Sequence, residues 1–414
     1  MLHDEYDSRD PNYDPLSFII SFPNYKREIF EEILSRKLSS TNLDSYRLFI
    51  HEYRHYLDHI STFYGHQYIY DLSIIFNNII NKHKVELSSI HPIGIGKRIS
   101  ELYSNLPPKR LKSTNDEVIW HLNFKLERFH EIMIFKLEFI DRENNEIVCS
   151  SPVTFISLFE CNSILEEMTL VKYVLDTELK HDDDRSYRQF LAFREFTLNA
   201  YDTSLIEYSV AAHIIACIFE IPDVFMAYQI TSRIGTFLLN CTKEILQKIA
   251  SFQKIIISAP HSNLVENRDF GYLLYYLCLA YKERFFKLDK IFDFEDFLHF
   301  FQLPSQDEIL KLISTNSQNL IAQIHSGNYF REIMINKISL GLQALNKRGI
   351  DGSKFSSFEF WDNIDFRTFT LCGNDEWDRS TDLDKLLARN PIQLKGNEWH
   401  DLIDILKKLE PQLK

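Results

Sequence analysis

The chain reads as a mainly α fold with a small β-sheet, and three observations predict it. Gly (11) and Pro (12) are scarce in 414 residues, which favours long helices over a turn-rich β fold. Apolar residues recur at helical spacing along most of the chain. One stretch, residues 118–150, changes period: Ile132, Ile134, Leu137 and Phe139 mix with Glu131, Lys136 and Glu138. A polar turn candidate at 141–146 and a return through Ile147-Val148-Cys149 make it a hairpin.

Taken in order, residues 16–22 read as a buried strand stopped by Pro23-Asn24, and 25–37 as an amphipathic helix. A third segment carries Tyr46, Phe49, Ile50, Tyr53, Leu57, Ile60 and Tyr64 at helical spacing. Thr41 or Asp44 can cap its start and Gly65 is a plausible stop. Residues 67–82 form another helix, and Pro92, Gly94, Gly96 and Pro107-Pro108 punctuate a loop region. After the hairpin, helical patterns span 153–179, 204–221 and 223–257. Between the first two lies an acidic loop at 181–185, which lacks the spacing of a calcium-binding loop. Beyond residue 262 come helices at 271–286, 293–301, 306–313 and 320–345, a Phe- and Thr-rich stretch at 353–373 suited to strands, and a closing helix at 397–409. Gly94-Ile95-Gly96-Lys97 has the spacing of neither nucleotide-binding fingerprint.

Composition removes several function classes. A net charge of −13 and a pI near 5.6 argue against nucleic-acid or anionic-membrane partners. No run of about 18 apolar residues suggests a membrane span. The acidic N-terminus lacks the basic and apolar regions of a secretory signal. Six scattered cysteines without a CxxC pair read as reduced thiols. Together these set the expectation of a cytoplasmic protein.

The chemistry concentrates at His51-Glu52-Tyr53-Arg54-His55. On a helix, residues four apart stack one turn above each other, so His51 and His55 can offer two imidazole nitrogens to one metal ion. Glu52 is rotated away and can reach a water in the ion's open position without being a ligand. Chance would supply roughly 0.04 such matches in a chain of this composition. A core helix with satisfied histidines is the bland alternative, but a Glu beside two helically spaced His is awkward to bury without a metal.

This H-E-x-x-H motif resembles the active-site helix of the zincin metallopeptidases. The resemblance implies a zincin-like catalytic domain over residues 1–260, a bound zinc ion, and a helical accessory domain over 261–414 that shapes the cleft. It covers the motif helix and little else specifically. Asp58 and Ser61 stand where the metzincin pattern has its glycine and third histidine, which excludes that subclass. The gluzincin type takes a glutamate from a later helix, and Glu160, Glu166 and Glu167 are the candidates. Glu166 is the choice: its stripe of Phe159, Asn162, Thr169, Leu170 and Tyr173 is mostly apolar, and a buried acid there needs a cation. Leu165-Glu166-Glu167 also resembles the L-E-G-x-A segment of several bacterial zincin-like families, with Glu167 replacing the small residue. Asp58 is placed to accept from a ligand imidazole, or is an exposed charge. His59 reads as structural, because three ligands on one straight helix cannot surround an ion.

The expected function is hydrolysis of a protein or peptide substrate, with Glu52 as general base and His51, His55 and Glu166 on Zn2+. Tyr201, Tyr208 and His213 are candidates to steady the oxyanion. A regulatory protein partner would hold such an enzyme in check. The alternative is a non-catalytic helical interaction protein that retains the metal site.

Overall fold

The structure, a computed structural model, describes residues 12–14, 19–21, 32, 43–80, 113–114, 117–118, 120–129, 132–177, 185–202, 205–252, 261–324, 326, 331–354 and 370–372. It is mainly helical with a small antiparallel sheet, as the sequence predicts. The helix expected at 25–37 falls outside the described residues apart from residue 32, and the closing helix at 397–409 falls outside them entirely.

The motif lies in α1 (Leu43–Ser61), followed by α2 (Phe63–Ile80). The helix ends four residues before Gly65. Thr62 Oγ1 donates to the Asp58 carbonyl at 2.6 Å and accepts from the Gly65 N–H at 3.1 Å, so a side chain replaces the helical ladder. Gly65 instead lies in the first turn of α2, where a Cβ would collide with the His59 carbonyl. Strands β3 (Ser113–Thr114) and β4 (Glu117–Val118) form a short ribbon. The expected hairpin is β6 (Ile132–Asp141) with β7 (Ile147–Pro152), and β5 (Trp120–Phe129) completes a sheet of order β5-β6-β7. Alternation along β6 turns Phe135, Leu137 and Phe139 into the core.

The helices that build the site's walls follow. They are α3 (Phe155–Thr177), α4 (Arg185–Ala200), α5 (Ile206–Phe219) and α6 (Val224–Asn240). Helix α3 is the central one, packing against α1, α5 and α6. The sequence pattern missed α4, and the segment expected as one helix at 223–257 is broken between α6 and α7 (Lys243–Ser251). The break has a cause. Fully buried Asn240 accepts from the Phe63 N–H at 3.0 Å and donates to the Ile350 carbonyl at 3.1 Å, and the chain then extends at Cys241.

The remaining helices are α8 (His261–Glu266), α9 (Phe270–Lys287), α10 (Phe294–Phe300), α11 (Gln306–Gln323) and α12 (Arg331–Arg348). Local caps fix several starts. Asp223, Asp269 and Asp293 accept from backbone N–H groups, and Ser305 with Glu308 forms a capping box. That box launches α11 for 18 residues, ten beyond the expected end at 313, and α12 begins later than the expected 320. The buried cluster runs from Phe63 to Ile350, across the expected boundary near residue 260. Helix α12 packs directly on α1 and α2. Finally, β1 (Asn12–Asp14), β2 (Ile19–Ser21) and β8 (Thr370–Cys372) form a sheet of order β1-β2-β8 beside α1.

Among the described residues, no single helix is long and apolar enough to cross a membrane. The one apolar pair, α5 with α6, is bent by 104° and largely buried. Cys149, Cys161, Cys217, Cys241 and Cys278 are free thiols, all but Cys217 buried.

Candidate metal centre

Helices α1 and α3 cross so that one polar stripe of each meets. From α1 come His51 and His55, with their rings 4.7 Å apart at 82°. From α3 come Glu160, Ser163 and Glu167, spaced i, i+3, i+7 on one face. His51 Nε2 lies 3.0 Å from His55 Nε2 and 3.1 Å from Glu160 Oε2, and His55 Nε2 lies 3.3 Å from the same oxygen. Among the described residues this is the one group of three donors able to hold a metal ion.

The protons tell what these three atoms are for. His51 Nδ1 lies 2.8 Å from Glu167 Oε1, a carboxylate that can only accept, so Nδ1 carries a hydrogen. Ser163 Oγ donates to the His51 carbonyl at 3.2 Å and so accepts from His55 Nδ1 at 3.4 Å. With both Nδ1 atoms donating outward, His51 Nε2, His55 Nε2 and Glu160 Oε2 face one another. Three acceptor atoms at that spacing repel unless positive charge sits among them, supplied by a proton on His51 or by a metal ion that replaces it. Zinc bonds of about 2.0–2.1 Å in a tetrahedron set ligand atoms about 3.3 Å apart. The observed edges of 3.0, 3.1 and 3.3 Å fit that donor set.

The same crowding shifts the titrating groups. Burial pushes the His51 imidazole down, but its bonds to Glu160 and Glu167 outweigh this and hold it well above the usual histidine range. Burial pushes Glu160 up, and His55 and His51 overcome it, holding the carboxyl well below the usual range. Glu52 is raised by burial and by Glu160, against the pull of His51 and His55. A carboxylate raised in this way is a better proton acceptor near neutral pH.

Glu166, the expected third ligand, is elsewhere. Its Oε1 accepts from Arg54 Nη1 at 2.6 Å, on the side of α3 turned away from the histidines. The premise that a buried acid on this stripe needs a cation holds, but the cation is a guanidinium. Arg54 also reaches Asp58 at 3.1 Å, and Arg348 from α12 donates to Asp58 at 2.7 Å. Asn162 donates to the other Asp58 oxygen at 2.8 Å. Arg54 and Arg348 hold the Asp58 carboxyl low against its burial. Asp58 is therefore fully buried and ties α12 to α1, rather than accepting from a ligand imidazole or standing exposed. The acceptor behind His51 is Glu167, itself held by Arg47 Nε at 3.1 Å.

His59 donates from Nδ1 to the His55 carbonyl at 3.1 Å and packs against Tyr68 and Phe159. Burial pushes it down to about 3, so it stays neutral. Of the three oxyanion candidates, Tyr208 lies beside His51, with ring centroids 6.0 Å apart. His213 instead donates to the Ala200 carbonyl at 2.8 Å and packs against Phe139 and Tyr201, in the core.

The fold and site thus define a helical protein with a preorganised His-His-Glu donor set beside a second, half-buried glutamate. No protein-family model matches the chain, and no curated protein or solved structure is significantly similar to it.

Proposed function

We propose that the chain is a zinc-dependent peptidase acting on protein or peptide substrates. The observation that carries this reading is the convergence of His51 Nε2, His55 Nε2 and Glu160 Oε2, with both Nδ1 protons engaged elsewhere and Glu52 alongside. Three protein ligands are the number of a catalytic zinc site rather than a structural one. A zinc ion held there supplies a Lewis acid for a carbonyl and lowers the pKa of a nearby water. Glu167, braced by Arg47, fixes the tautomer that leaves His51 Nε2 free to bind. Ser163 does the same for His55. Glu52 accepts the proton of the attacking water and passes it to the leaving amide nitrogen. Tyr208, whose ring centroid lies 6.0 Å from that of His51, is the candidate to steady the developing oxyanion.

The test pairs zinc content with proteome-wide mapping of new N-termini. Zinc-loaded wild type should create new termini in a cell extract, and Glu52→Gln should create none at unchanged zinc content. Identical termini from both proteins, or none from wild type, would leave the metal site without a peptidase and favour the non-catalytic interaction protein.

A further inference from the structure

Among the described residues, strand β1 is the outer strand of its sheet and pairs antiparallel with β2, with Tyr13 opposite Ile20 in the middle of three residue pairs. It also lies along α1. The Tyr13 ring meets Tyr56 edge-on at 6.2 Å and His59 at 5.3 Å, and the Tyr13 backbone N–H donates to the Glu52 carboxylate. Glu52, Tyr56 and His59 are spaced i, i+4, i+7, so β1 follows a single face of the motif helix. An edge-strand N–H directed at Glu52 points away from β2 and is no part of the ladder.

The place of that N–H has a chemical meaning. A general base that takes the water's proton must deliver it to the amide nitrogen that leaves. A peptide nitrogen seated against Glu52 is therefore where a substrate's leaving nitrogen belongs, and β1 puts its own there. We propose that β1 is an internal occupant of the peptide-binding slot, which an extended peptide substrate must displace. The proposal rests on the reading of Glu52 as the general base.

The strand is suited to leaving. Among the described residues its pairing spans three residue pairs, and short edge elements open at low free energy. Once it leaves, β2 presents a free edge to which an extended chain adds through main-chain hydrogen bonds. The aromatic stripe of Tyr56 and His59 then receives the side chain that follows the scissile bond, the position Tyr13 holds now. Apparent affinity for a peptide falls by the fraction of molecules with the slot open, so a strand seated nine-tenths of the time weakens binding about tenfold.

The probe is a fluorescein-labelled peptide with the chain's own residues 9–16, measured by anisotropy with chelator present so that nothing is cleaved. Tyr13→Pro removes the donor to Glu52 at an outward-facing edge position that tolerates proline, and Tyr13→Ala removes the ring. Either variant should bind the peptide at least about tenfold more tightly than wild type, and a peptide with Ala in place of its tyrosine should lose that gain. Equal or weaker binding by both folded variants overturns the proposal, even if wild type cleaves proteins through Glu52. Tighter binding without any Glu52-dependent new termini strikes the peptidase reading instead.

Discussion

Glu160 and Glu166 lie on one helix six residues apart, are both buried, and serve different masters. Glu160 Oε2 stands 3.1 and 3.3 Å from the two imidazole nitrogens, so Glu160→Ala removes one of the three proposed ligands and the only carboxylate among them. Loss of a residue that merely supports a ligand costs 10–100-fold in metal affinity, on the order of 1.4–2.8 kcal/mol. Loss of the ligand itself should exceed about 100-fold. Glu166→Ala leaves the site intact but strips Arg54 of its 2.6 Å partner, and breaking a buried pair destabilises by about 3–5 kcal/mol. Competitive zinc titration against a chromophoric chelator and urea unfolding of the metal-free proteins separate the two effects. Glu160→Ala should lose zinc affinity, whereas Glu166→Ala should lose stability and keep its zinc affinity within a few-fold. Comparable zinc loss at Glu166, or none at Glu160, would refute the assignment of the third ligand.

Two further predictions concern the frame around the site. A Cβ at Gly341 in α12 would collide with the Ile60 carbonyl of α1 and come within 2.6 Å of His66 Nε2. Gly341→Ala should therefore destabilise by about 1–3 kcal/mol in urea unfolding, although the same change in an open helix stabilises by about 1 kcal/mol; a gain in stability would mean that α12 sits further from α1. His66 donates from Nε2 to the Ile60 carbonyl and accepts at Nδ1 from Ser317, both at 2.7 Å, and burial pushes its imidazole down to about 4. The unfolded chain takes up the proton near pH 6.5 while the folded one refuses it until about 4, so its contribution is complete above 6.5 and is lost as pH falls toward 4. That amounts to about 3 kcal/mol, and a His66→Gln variant should show a correspondingly flatter decline in unfolding free energy between those pH values. An unchanged slope would refute the neutral, buried assignment.

The sequence made part of this site legible and hid the rest for physical reasons. The spacing of His51 and His55 dictates a shared helical face, and they do converge. The third donor depended on which face of α3 meets α1. Apolar periodicity favoured the Glu166 stripe, but both stripes are buried, and the polar one of Glu160, Ser163 and Glu167 faces the histidines. Arg54 inside the motif was the available signal, a cation on α1 that needs its own buried acid. The hairpin of β6 and β7 was legible because a polar turn separates two apolar runs. The α6–α7 break was not, because it hangs on Asn240 reaching Phe63 and Ile350, contacts of 177 and 110 residues' separation. The approach of β1 to Glu52 is equally non-local, made by a strand of three residues.

The central claim is that His51, His55 and Glu160 hold one metal ion, and X-ray absorption spectroscopy of zinc-loaded protein tests it most directly. The expected result is one zinc per chain in a shell of nitrogen and oxygen at about 2.0–2.2 Å, with the outer-shell scattering of two imidazoles. That shell should disappear in the His51→Ala, His55→Ala double variant. A sulfur shell at about 2.3 Å, or zinc that stays in an unchanged shell after both histidines are removed, would contradict it.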